Sequence, residues 1–97
     1  MTTQSLNQGP LFALGQTVAT PGALETMQRL DISPITLLSR HQRGDWGDLD
    51  EDDKEENDLS VKEGFRIFSA YVFDTVKFWV ITEADRSATT ILLPEEY

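Results

Sequence analysis

The chain has 97 residues, no cysteine and a formal net charge of −9. That length holds one core and one domain, with too little chain left for a second domain or an elaborate catalytic cleft. Lack of cysteine excludes disulfides, thiolate ligands and thiol nucleophiles. With no apolar run of spanning length, and no basic start followed by a long apolar segment, the expectation is a cytoplasmic protein without a membrane helix or signal peptide.

The acidity is local. Residues 45–58 carry nine carboxylates against Lys54 alone, which leaves the rest of the chain at about −1. A patch of that sign repels phosphate backbones and disfavours direct nucleic-acid binding; it attracts basic surfaces instead, including those of proteins that hold DNA.

In chain order, residues 1–10 are small and polar, end in Gly9-Pro10, and read as a flexible tail before a single domain over 11–97. Residues 11–19 suggest a short extended piece. Thr20-Pro21 is a helix start: threonine caps free amides, and proline is tolerated where its missing N–H has no intrahelical partner. Leu24, Met27 and Leu30 then mark the inner face of a first helix over 21–30. Ser33-Pro34 repeats the signal, with Ile35, Leu37, Leu38 and His41 following until Gly44 stops a second helix. The pair resembles a helical hairpin, but Arg40 and Arg43 are too few bases for a DNA-reading helix-turn-helix.

Asp50 is the expected N-cap of a third helix, whose first-turn acids suit the macrodipole, with Leu59 as its small apolar contact and Gly64 as its end. From Phe65 the apolar period changes to two. Strands are expected at 65–73, 76–82 and 88–93, joined by short polar turns into an antiparallel meander. The fold class is therefore α+β: a three-stranded antiparallel sheet from the C-terminal half, four-stranded if residues 12–19 pair at an edge, packed against two or three short helices from the N-terminal half.

Several constellations invite a chemical reading. Asp48, Asp50 and Asp52 match the first, third and fifth ligand positions of an EF-hand loop, but Asp53 stands where glycine is needed and Leu59 where a bidentate glutamate is needed. One histidine and no cysteine exclude the usual zinc sets, so neither a metal nor a cofactor is expected. His41 with Asp45 and Asp48 is an acid–base candidate, set against a histidine that merely ends a helix. Gly44-Asp45-Trp46-Gly47-Asp48 lets the backbone turn sharply and lays the indole down, either as a plug over the core or as an anchor for a partner flanked by Arg43 and Asp45. Asp85 and Arg86 lie on a strand-to-strand turn, where Arg86 is expected to form a salt bridge to the acidic helix.

The stretches 11–25, 37–58 and 81–97 (LFALGQTVATPGALE, LLSRHQRGDWGDLDEDDKEEND, ITEADRSATTILLPEEY) resemble a family of small bacterial proteins of plasmids and other mobile elements, some labelled as a type I restriction methylase subunit. The resemblance implies a mobile-element setting. It implies no methylase chemistry, because the chain lacks a glycine-rich methyl-donor loop and an Asn/Asp-Pro-Pro-aromatic motif.

Two functional expectations follow. The first is a protein-interaction module using the Arg43 to Asp58 surface, with Arg43, Asp45, Trp46, Asp48, Asp52, Asp53, Glu55 and Glu56 as contacts. Its partner would be a protein, in one version a DNA-handling protein deceived by a mimic of phosphate spacing. The second is a small enzyme or ligand-binding domain around His41, Arg43, Asp45, Asp85 and Arg86. An exposed sheet edge would also suit a homodimer.

Overall fold

A computed structural model describes residues 9–97 and contains, in order, β1 (Gln16–Ala19), α1 (Pro21–Arg29), α2 (Pro34–Gln42), α3 (Glu51–Glu63), β2 (Ile67–Phe73), β3 (Val76–Thr82), β4 (Ala88–Leu92) and a closing 3₁₀ turn (Pro94–Glu96). Of the expected N-terminal tail, residues 1–8 lie outside the described residues.

The helix boundaries follow from local chemistry. The side chains of Thr20, Ser33 and Asp50 accept from the amides of Ala23, Ile35 and Asp53, one cap for each helix. At the other ends, Asp31, Gly44 and Gly64 take left-handed backbone conformations. The amides of Ile32, Asp45 and Phe65 then reach back to the carbonyls of Met27, Arg40 and Ser60, as a Schellman ending requires.

The sheet order is β1-β4-β3-β2. β2, β3 and β4 form the antiparallel meander, and residues 16–19 supply the fourth strand. That fourth strand corrects the expectation of a wholly antiparallel sheet, since β1 pairs parallel to β4. Parallel neighbours need a long crossover, and the three helices with β2 and β3 lie between these two strands in the chain.

One sheet face carries the core. Ala23 and Met27 of α1 and Leu37 of α2 pack with Tyr71, Phe78, Val80 and Ile91, each buried side chain contributing about 1.5–3 kcal/mol for the larger residues. Two apolar positions expected inside are outside: Leu24 is 40% exposed and Ile35 is 72% exposed. Each helix is short and meets the sheet along one narrow stripe, filled on α1 by Ala23, Thr26 and Met27 and on α2 by Leu37 and His41. Phe65 likewise stays outside β2, because its amide completes the end of α3.

α3 attaches differently. It buries Asn57 and Ser60 and leaves Leu59 at the surface, which corrects the expected apolar contact. Its partner is the free edge of β2. The Asn57 amide donates to the Phe68 carbonyl (2.5 Å) and its side-chain oxygen accepts from the Phe68 amide (3.1 Å). Next along the edge, the Ala70 amide donates to Trp46 O and the Ala70 carbonyl accepts from the Asp48 amide. The Val72 amide then donates to the Asp48 carboxylate (2.9 Å). Gly47 lies between, at positive φ, where any Cβ would overlap the Ala70 carbonyl. The outer edge of β2 is thus closed by side chains and a short bridge, which removes it as a pairing template.

Candidate functional site

From Glu51 on, the acidic stretch is helical, in α3, with no apolar face to hold it. Its order comes from three hydrogen-bonded attachments. Asn57 grips Phe68; the Trp46 indole Nε1 donates to Asp58 (3.0 Å); and Arg86 Nη2 donates to the Ser60 carbonyl (2.8 Å). Glu51, Asp52 and Asp53 occupy its first turn, where the helix dipole favours negative charge. Among the described residues, the ion pairs are Arg40–Asp45, Lys54–Glu51 and Arg66–Glu83. Asp52, Asp53, Glu55 and Glu56 are exposed and belong to none of them.

The residues just before α3 hold it in place. Trp46 is 4% exposed. Its indole stacks on Phe12 at 6.3 Å and meets the His41 ring edge-on at 5.9 Å, so it fills the corner between α2 and β2. Asp45 pairs with Arg40 at 2.7 Å, and that bond holds its carboxyl below the usual carboxylate range. The Arg40 guanidinium also lies over the Tyr71 ring, 4.4 Å from its centre. The Tyr71 hydroxyl donates to the Asp45 carbonyl at 2.7 Å, and burial pushes its pKa up to about 12. Arg43 is exposed and donates to Ser39 of its own helix.

His41 is fully buried, and both ring nitrogens are engaged. Nδ1 lies 2.6 Å from Ser69 Oγ and Nε2 lies 2.9 Å from Thr82 Oγ1. Thr82 Oγ1 is 2.7 Å from Thr89 Oγ1, which donates to the Leu14 carbonyl at 2.7 Å. The direction of this chain is fixed from its end. A carbonyl only accepts, so Thr89 donates to Leu14, Thr82 donates to Thr89, and Thr82 must accept from His41 Nε2–H. The low pKa that burial gives this ring makes it neutral, so Nδ1 carries no proton and accepts from Ser69. Burial, helped by the Arg86 cation, lowers its pKa to about 3. An imidazole so placed joins α2 to β2 and β3 and, through Thr82 and Thr89, to β4 and the segment leading into β1.

Arg86 sits at positive φ on the β3–β4 turn. Its guanidinium donates to the carbonyls of Ser60, Phe65, Glu83 and Ala84 at 2.7–3.2 Å. It reaches α3, but through a carbonyl rather than through the carboxylate that a salt bridge would need. Asp85 is fully exposed on the same turn, and its hydrogen bonds to Ser87 hold its carboxyl below the usual range. Thus His41 and Arg86 face one region of the core, while Asp45 turns to Arg40 and Asp85 and Arg43 point to solvent.

Sequence reasoning missed Asn57 and Arg40. Asn57 is the lone amide between Glu51 and Asp58, and a neutral donor–acceptor inside a carboxylate run was the available signal. Cavities lie elsewhere: one of about 240 Å³ beneath Tyr97, lined by Arg66, Phe68, Trp79 and Ile81, and one of about 380 Å³ between Arg29, Lys77 and Glu95. No group of His, Asp or Glu among the described residues is arranged to hold a metal ion, and no described helix is long and apolar enough to cross a membrane. No family model, curated protein or solved structure matches the chain.

Proposed function

We propose that the protein is a cytoplasmic interaction module of a mobile element, and that α3 presents its carboxylates to a basic surface on a DNA-handling protein. The observation that carries this reading is the way α3 is held. A helix with seven carboxylates is fixed at a sheet edge by Asn57, Trp46 and Arg86, while Asp52, Asp53, Glu55 and Glu56 are left to solvent. Fixing a like-charged helix costs self-repulsion, which a cationic partner would relieve. Thirteen residues make a helix of about 20 Å, so its carboxylates recur about every 3 Å of axis, close to the roughly 3.4 Å per charge on one DNA strand. A patch of that length fits a short basic groove.

The test is a pull-down with tagged wild-type protein beside a variant carrying Asp52→Asn, Asp53→Asn, Glu55→Gln and Glu56→Gln. A captured DNA-binding protein would then be assayed for displacement of its DNA. Capture and displacement by the wild type alone, both lost at high salt, are expected. Equal capture by both proteins, or capture without displacement, overturns the reading.

A further inference from the structure

The geometry points to a symmetric homodimer formed by antiparallel pairing of β1 with β1 of a second copy. The two edges of the sheet differ. The β2 edge is closed by Asn57 and the 46–48 bridge, whereas the outer edge of β1 has no strand paired to it among the described residues. Gln16 and Thr20 donate their amides to the carbonyls of Ser87 and Ile91. By the alternation of a strand, even-numbered residues of β1 therefore face β4, and the N–H and C=O groups of Thr17 and Ala19 point away from the sheet. Among the described residues, neither has a hydrogen-bond partner for those groups, since β1 is the last strand on that side.

Those free groups specify a register. A two-fold axis at Val18 sets Thr17 of each copy opposite Ala19 of the other, so that every outward amide and carbonyl is paired. Val18 then meets Val18 on the open face of the sheet, where it is already 44% exposed. On the helix side, an apolar slot beside β1 is lined by Ala19, Pro34, Leu38 and Ile91. With its other edge closed, the sheet has no second site for head-to-tail pairing, so association ends at the dimer.

Charge selects a second copy as the occupant. Two chains of −9 repel unless they meet where charge is absent, and Met1 to Leu24 contains no ionisable side chain at all. α3 lies at the opposite edge of the sheet. In an eight-stranded sheet the two β2 strands are seven spacings apart, about 34 Å, several times the roughly 8 Å Debye length of physiological salt. This pairing therefore places the acidic helices at the far ends, where their repulsion is screened and both remain open.

Sedimentation velocity of the full chain across the micromolar range tests the proposal. Thr17→Pro removes an outward N–H that the β1–β4 ladder does not use, so the monomer keeps its fold. Val18→Glu, at a half-exposed position, sets two carboxylates against each other at the axis. A concentration-dependent wild-type dimer is expected, undiminished by salt, with both variants monomeric at unchanged far-ultraviolet circular dichroism. The variant neutralised at Asp52, Asp53, Glu55 and Glu56 is expected to stay dimeric, which separates this interface from the α3 surface. A monomeric wild type, or a folded Val18→Glu that still dimerises, overturns the proposal even if Thr17→Pro fails to fold.

Discussion

Asn57 and Phe68 are joined twice, the amide of one side chain pairing with both backbone groups of a strand residue at 2.5 and 3.1 Å. The side chain thus acts as one residue of an absent neighbouring strand. In Asn57→Ala, both Phe68 groups lose their partner while half-shielded by α3. A loss of about 2–3 kcal/mol is expected in urea unfolding. The helix should loosen before the sheet, so faster exchange of the Phe68 amide and of the backbone amide at position 57 should exceed any change at Phe78 in the core. Unchanged Phe68 exchange would show that other contacts hold α3.

His41 makes stability depend on pH with a definite sign. Its native pKa is about 3, below the ordinary value of 6.5, so the unfolded chain binds the extra proton throughout that interval. The stabilisation is complete above about pH 6.5 and is lost as pH falls toward 3, on the order of 5 kcal/mol in all. His41→Gln lacks this titration. Its stability should start lower, because the hydroxyls of Ser69 and Thr82 lose a well-placed partner, but should fall less steeply between pH 6.5 and 4. Nitrogen chemical shifts of the wild-type ring should show a proton on Nε2 at pH 5. Parallel pH profiles for the two proteins, or a charged ring at pH 5, would contradict the buried neutral imidazole.

The α+β class, the helix starts and the meander were legible because each rests on short-range chemistry: Thr20-Pro21, Ser33-Pro34, Asp50, Gly64 and the change of period after Phe65. The inner faces of α1 and α2 were less so. Three-residue spacing made Leu24 equivalent to Met27, and only the position of the sheet decides which stripe is buried. The direction of β1 was not legible, since four residues pair either way and the choice lies in a crossover through the rest of the chain. The site behaved similarly. The carboxylates of α3 could be counted, but the means of holding an acidic helix without an apolar face could not. That role falls to Asn57, to a tryptophan N–H and to an arginine distant in sequence, all acting through hydrogen bonds with no periodic signature.

Arg86 separates two views of how charge serves this fold. If it held α3 by pairing with carboxylates, Arg86→Lys would keep most of the effect and salt would weaken it. Every hydrogen-bond partner of the guanidinium is instead a backbone carbonyl, at Ser60, Phe65, Glu83 and Ala84. A planar group with five donors spans that set; an ammonium on a flexible stem satisfies part of it. Arg86→Lys and Arg86→Ala should therefore both lose stability, by about 2 kcal/mol or more, and the difference from wild type should be nearly the same at low and high salt. Exchange of the amides at the end of α3, Gly64 and Phe65, should quicken in both variants. Full rescue by lysine together with strong salt dependence would restore the ion-pair account. Equal failure of lysine and alanine would mean that the charge of Arg86 matters less than the shape of its donors.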